Sequence, residues 1–219
     1  MKIELEGMVE FFRRRIEDYD RHMLEEVEGC REGYEKMAEL LRPGIRELLD
    51  LGCGTGLELE PIFKRCPQVR VTGIDLSEAM LQKLKEKYPD RPLRTVCGSY
   101  LDRDFGEACY DAAVSFQTLH HLSHEEKTSV YQQLRRALKQ DGIYVECDYM
   151  VLDQAVEDEL YALNRRLRRE QGIPDGQFCH FDTPCTVDNQ LKMLAEAGFA
   201  SARMVWRQEN TTIVVASPV

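Results

Sequence analysis

The stretch LLDLGCGTGLELE, residues 48–60, constrains the fold more than any other part of this chain. A branched, apolar run ends in Asp50, and glycine then recurs at positions 52, 54 and 56. A strand that feeds such a turn and runs on into a helix forms a βα unit. The glycines mark a place where the main chain turns tightly or lies close to a ligand. Pro61 falls in the first turn of the predicted helix, where a missing N–H costs nothing.

The pattern around this unit repeats. Between residues 44 and 150, the runs IRELLDLG, VRVTGIDLS, LRTVCG, YDAAVSF and IYVECDYMV read as strands. LELEPIFKRC, SEAMLQKLKEKY and HEEKTSVYQQLRRALK read as the helices between them, and Asp141-Gly142 as a turn into the fifth strand. Such alternation predicts a mostly parallel sheet with helices on both faces, and ligands at the carboxyl ends of the strands. Residues 8–42 read as helix, with Val9, Phe12, Ile16, Tyr19, Met23 and Val27 on one stripe and Pro43-Gly44 as its end. A charged amphipathic helix, LDQAVEDELYALNRRLRREQG, and a loop, IPDGQFCHFDTP, interrupt the alternation before a last helix capped at Gly198. ARMVWR and TTIVVAS, joined by QEN, read as antiparallel neighbours. One domain over 1–219 is expected: a helical cap at 1–43, a ligand-binding core at 44–150, an insertion at 151–185 acting as a substrate lid, and a closing helix and strand pair at 186–219.

The glycine spacing separates two ligand classes. In the dinucleotide fingerprint G-x-G-x-x-G the third glycine would stand at position 57, which is Leu57; glycine is at 56 instead. Asp75 closes the second strand, where a carboxylate can accept both hydroxyl protons of a ribose. LLDLGCGTG, VTGIDLS and YDAAVSFQTLHHL together resemble the class I S-adenosylmethionine-dependent methyltransferase family, over roughly residues 45–150. The resemblance implies a Rossmann-like three-layer sandwich with a seven-stranded sheet whose last strand is antiparallel. It implies S-adenosylmethionine as cofactor and S-adenosylhomocysteine as product. It places Asp50, Gly52, Gly54 and Gly56 at the methionine end, Asp75 on the ribose, and Leu76 against the adenine. Phe116 and Gln117 would lie beside the sulfonium. Many relatives carry an acid where this chain has Ser99, so the adenine amino group is expected to meet the Ser99 hydroxyl or the backbone near Tyr100.

Methyl transfer from an activated sulfonium needs alignment more than a dedicated catalytic residue. His120 and His121 are the candidate bases, with Glu146 and Asp148 alternating on the fifth strand nearby. Tyr19, His22 and His180 are candidate substrate contacts, and no closed metal-ligand set is visible. The acceptor is expected to be a small molecule. A net charge of −10 opposes nucleic acid as a partner. Alternatives are an NAD(P)-dependent oxidoreductase, a non-catalytic S-adenosylmethionine-binding module and an RNA-modifying relative. MKIELEGMVEFFRRR lacks the apolar core of a signal peptide, no apolar run reaches the length of a membrane span, and the eight cysteines form no C-x-x-C pair. A cytoplasmic setting is expected, and the oligomeric state is left open.

Overall fold

The chain is described by a computed structural model over residues 3–174 and 176–219; Met1, Lys2 and Asp175, the last within the stretch read as a loop, lie outside it. Strands β2 (Glu47–Leu51), β3 (Arg70–Asp75), β4 (Leu93–Cys97), β5 (Tyr110–Phe116), β6 (Leu138–Tyr149), β8 (Ser201–Gln208) and β9 (Thr211–Ser217) form one seven-stranded sheet. Its order is β4-β3-β2-β5-β6-β9-β8. The first five of these pair in parallel, and β9 inserts antiparallel between β6 and β8. This is the predicted Rossmann-like sandwich. The strand order reverses between β2 and β5, so the carboxyl ends of those two strands splay apart and open a crevice.

The helices are α1 (Met8–Arg15), α2 (Tyr19–Glu25), α3 (Cys30–Leu40), α4 (Leu59–Arg65), α5 (Glu78–Lys87), α6 (His124–Ala137), α7 (Gln154–Glu170) and α8 (Val187–Glu196). Alternate residues of each strand serve opposite helix layers. Leu48 packs with Met37, Phe63 and Leu84 on one face, while Leu49 and Leu51 pack with Val130, Leu134 and Leu194 on the other. Covered on both faces, the central strands are apolar nearly throughout, which explains why they read as short continuous apolar runs.

Three local expectations are corrected. Residues 8–42 are three helices, not one. Gly29, at φ +79, breaks the chain where an added Cβ would stand 3.0 Å from Thr211 Cβ, so close packing against β9 overrides the helical stripe. Asp141-Gly142 is not a turn ahead of a strand but a bulge inside β6, where the pairing shifts between Tyr110↔Leu138 and Ala112↔Ile143. Finally, the loop at 176–182 contributes a short strand, β7 (Cys179–His180), that pairs antiparallel with β1 (Glu6–Gly7). Two residues per strand leave no periodicity to read, yet this ribbon ties the N-terminal helices to the segment after α7. Among the described residues, no helix is long and apolar enough to cross a membrane.

Candidate functional site

A narrow cleft and a broad chamber meet at the carboxyl ends of β2, β3 and β5. The cleft begins at the glycine loop. Gly52, Gly54 and Gly56 hold φ of +66, +47 and +73, which side chains resist. Gly52 N–H donates to Ile74 O at 2.8 Å, pulling the loop against β3. Gly54 N–H then donates to Asp75 Oδ2 at 2.9 Å, and Ser77 N–H to Oδ1 at 2.8 Å. Each carboxylate oxygen keeps a further lone pair, and Asp75 lines the cleft. Burial pushes the Asp75 pKa up, and these two N–H groups oppose that push. Ser77 also caps α5, so strand end, carboxylate and helix start are one rigid unit.

Of the predicted cofactor residues, Gly52, Gly54, Asp75, Leu76, Tyr100, Phe116 and Gln117 line this cleft. Asp50, Gly56 and Ser99 do not. Asp50 is fully buried under the loop beside Glu58, and its two oxygens and Glu58 Oε1 have no hydrogen-bond partner among the described residues. Burial and the neighbouring Glu58 push its pKa well up. Ser99 Oγ is occupied in capping a short helical turn, accepting from Leu101 N–H at 3.1 Å. Gly56 faces the core: an added Cβ would collide with Leu84 Cδ1. Gly56→Ala is therefore expected to destabilise the fold by about 2 kcal/mol, from crowding and left-handed backbone strain together. A denaturant midpoint equal to that of the parent chain would exclude this packing role.

Thr118 was not foreseen. It lines the cleft, a Cβ on Gly52 would run into its side chain, and its hydroxyl shares a 3.2 Å hydrogen bond with Tyr100 Oη. Its only sequence signal is its place just past the fourth predicted strand. Gln117 beside it has φ +49, a backbone conformation that costs a non-glycine residue energy. Its side chain reaches Thr211 Oγ1 at 3.3 Å.

The chamber measures about 780 Å³ and shares Phe12, Tyr19, Gln117 and His121 with the cleft. Its floor collects side chains far apart in sequence. His120 and His121 lie on a short helical turn, Leu119–His121, that follows β5. His120 Nδ1 stands 2.5 Å from Asp148 Oδ1 on β6, while Asp148 Oδ2 accepts the backbone N–H of Leu119 at 2.9 Å and of His120 at 3.0 Å. His120 Nε2 then points to Asp182 Oδ1 at 3.4 Å, and His121 Nδ1 lies 3.4 Å from the same atom. His180, stacked on Phe11 at 3.5 Å between ring centroids, has Nε2 3.9 Å from Asp182 Oδ1. His22 is on the exposed rim, paired with Glu26 at 3.0 Å.

The electrostatics of the floor are uneven. Burial lowers the His120 pKa, but Asp148 and Asp182 outweigh it and hold the group up at about 9. Burial and the His120 charge keep His121 well below the usual histidine range. Despite its burial, Asp182 is held low by the surrounding histidines. His120 is thus an imidazolium between two carboxylates at neutral pH, which does not suit a simple base. Glu146 faces away from the chamber, buried against Tyr131, Tyr144 and Gln190, and burial pushes it up to about 7. A second polar cluster, Lys127, Cys185, His124 and Glu157, lies beneath α7 and α8 and lines neither the cleft nor the chamber.

Known proteins share this architecture. A family profile described as "Methyltransferase domain" matches residues 48–142. The chain is 29% identical over 164 residues to sterol 24-C-methyltransferase ERG6B of Gibberella zeae, a match covering 73% of this chain and 40% of that protein. It therefore spans less than half the length of that relative. It is 28% identical over 180 residues to the carboxy-S-adenosyl-L-methionine synthase of Wolinella succinogenes, covering 76% of this chain and 74% of that one. In structure it superposes on DhpI, solved as an SAH complex, with a TM-score of 0.69 at 17% identity, covering 96% of this chain and 94% of the other.

Proposed function

This chain belongs to the class I S-adenosylmethionine-dependent methyltransferases, and we propose that it transfers the methyl group to a small molecule seated in the chamber. Its cofactor is S-adenosylmethionine. The observation that carries the proposal is the junction of the two cavities: the cleft and the 780 Å³ chamber meet at Phe12, Tyr19, Gln117 and His121. A chamber of this size is typical of small-molecule sites.

The cleft fits the cofactor residue by residue. Gly52 and Gly54 line the cleft, where a Cβ on Gly52 would run into Thr118 and one on Gly54 would touch Tyr19 Oη at 3.6 Å, so bare backbone is what leaves room for a ligand beside the loop. Asp75 takes the ribose hydroxyls with its free lone pairs. Leu76 supplies an apolar wall for the adenine. Met8, Phe12, Tyr19 and Phe178 lie across the cleft and leave about 50 Å³ open. An adenosyl group requires several hundred Å³, so these side chains turn outward on binding and then cover the cofactor. The covering side chains come from the N-terminal helices and from 151–185, which gives those segments a lid function.

The cofactor supplies a methyl carbon already activated by a sulfonium. When bound, it would give up that methyl to the acceptor atom as the carbon–sulfur bond breaks, and leave as a neutral thioether. The chain's residues align the acceptor and exclude water. Alignment of this kind contributes about 7–11 kcal/mol to lowering such barriers. Phe12 and Tyr19 close the junction, and the histidine floor presents polar atoms to the acceptor. Charge disfavours a polyanion in the chamber: five acids, Asp18, Glu26, Glu28, Asp182 and Glu209, line it beside two arginines, Arg15 and Arg21, and the net charge is −10.

The test is calorimetry followed by labelling. Purified protein titrated with SAH is expected to bind at micromolar levels, and NAD is not. Incubated with methyl-labelled cofactor and cell extract, it should place the label in the low-mass fraction. Label in RNA or protein would overturn the small-molecule reading, and absence of SAH binding would overturn the whole assignment.

A further inference from the structure

The geometry points to a divalent transition-metal site on the chamber floor, formed by His120 Nε2, His121 Nδ1, Asp182 Oδ1 and His180 Nε2. The site rests on the donor set alone and does not depend on the methyl-transfer reading.

Four features support it. First, the donors are the right kind: three imidazoles and one carboxylate form a set preferred by zinc, iron and similar ions, not by magnesium or calcium. Second, the spacing fits. Ligand atoms bound tetrahedrally at about 2.0–2.1 Å stand roughly 3.4 Å from one another. His120 Nε2 and His121 Nδ1 each lie 3.4 Å from Asp182 Oδ1, and these three atoms are within 4.8 Å of one another. His180 Nε2, 3.9 Å from the same oxygen, lies outside that three-residue group and would have to turn toward it to complete the set.

Third, the polar neighbours of Asp182 Oδ1 are these same imidazoles. The oxygen is buried and, at 3.4–3.9 Å from three ring nitrogens, makes no close hydrogen bond among the described residues, a spacing that an ion between them would close. His121 Nδ1 also stands 3.3 Å from the Phe181 carbonyl, and the ion would replace that weak partner. Fourth, the outer support of a metal centre is in place. Asp148 binds His120 Nδ1, which fixes the ring and aims Nε2 at the site; an incoming ion would displace the Nε2 proton to solvent and take its place, giving the usual carboxylate–histidine–metal arrangement. The two ligand-bearing segments are pinned together, since Thr183 donates to His120 O from its N–H at 2.8 Å and its hydroxyl at 3.0 Å. The β1–β7 ribbon holds His180 by its pairing with Glu6.

All four ligand residues line the chamber, so the ion would keep a face open to it. Where the chamber takes a methyl acceptor, as proposed above, that open position would hold its hydroxyl or thiol. The ion would lower the pKa of that group, and the released proton would pass to solvent. This last step alone rests on the methyl-transfer reading.

The experiment measures metal directly. Chelator-treated protein is dialysed against zinc, and its content is compared with that of the D182N, H121A and C185A variants. The Cys185 variant controls for the other cluster of candidate ligands, His124, Glu157 and Cys185. One zinc per chain is expected, retained in C185A and weakened at least 30-fold in both D182N and H121A. The cobalt-loaded chain should show visible bands of a low-coordinate site without a thiolate charge-transfer band. SAH affinity in D182N should stay within twofold of the parent, which shows that the fold is kept. Absence of bound zinc in the parent chain would overturn the proposal, as would zinc that is lost in C185A but kept in D182N. Because SAH binding is read separately, failure of the metal site and failure of the cofactor assignment give different patterns.

Discussion

Asp75→Ala is expected to weaken SAH binding by at least about 100-fold. The reasoning starts from its two hydrogen bonds. Gly54 N–H and Ser77 N–H each occupy one oxygen of this carboxylate, which fixes its plane and leaves each oxygen a further lone pair beside the cleft. Two ribose hydroxyls donating to a charged acceptor contribute about 1.5–3 kcal/mol each, so their joint loss exceeds the roughly 3 kcal/mol that corresponds to 100-fold. The variant also leaves two backbone N–H groups without an acceptor, and a lower melting temperature accompanies the weaker binding. Asp75→Asn is not a mild substitute. One of its two head atoms becomes an NH₂ group, which must face either Gly54 N–H or Ser77 N–H, donor against donor. Calorimetric titration with SAH measures both variants. Affinity within threefold of the parent in Asp75→Ala would remove the ribose from this carboxylate.

The layout of the cleft was largely readable because it depends on short-range rules. Glycines at 52, 54 and 56 after a strand, and an acid closing the next strand, are local signals. Yet the same pattern treats three glycines as equivalent when their surroundings differ. Gly52 and Gly54 face the cleft, whereas Gly56 faces Leu84. Asp50 reads as a ligand contact, but strand alternation turns its side chain under the loop toward Glu58. A one-residue difference in direction decides which side of the sheet an acid serves, and nearly continuous apolar runs conceal that direction.

The chamber floor was hardly readable at all. His120 and His121 were candidates by their place after a strand, and His180 by the company of aromatic residues. Asp182 carried no signal of its own. What joins them is tertiary: Thr183 bound to His120 O, and a ribbon of two-residue strands. Contacts between residues 60 apart leave no trace in periodicity. The metal set was therefore invisible in the sequence, since its ligands come from two segments whose approach depends on that ribbon.

Asp148→Asn is expected to make stability nearly independent of pH in the range where the parent chain loses it. In metal-free, chelator-treated protein, His120 is held at about 9 by Asp148 and Asp182 against the cost of its burial, compared with an ordinary 6.5. The folded chain thus binds a proton more tightly than the unfolded chain. The resulting stabilisation is fully present below pH 6.5 and is lost as pH rises through 9. A difference of this size corresponds to about 3 kcal/mol at 1.36 kcal/mol per unit. An asparagine at 148 has one oxygen and no charge: with that oxygen toward the imidazole, its NH₂ meets the backbone N–H groups of Leu119 and His120, a cost that does not vary with pH. On top of that constant cost, the lost attraction for the proton should make the substitution up to about 3 kcal/mol more costly at pH 6 than at pH 9.5. Glu146, pushed up to about 7 by burial and by Asp148, changes in the same sense but over a lower pH range. Its stabilisation is lost as pH rises from the ordinary carboxylate range to 7, so a comparison restricted to pH 7.5–9.5 isolates the histidine. Urea midpoints of the two chains across that window provide the measurement. Parallel curves, with the same gap at both ends, would show that Asp148 serves His120 through hydrogen bonding alone and not through charge.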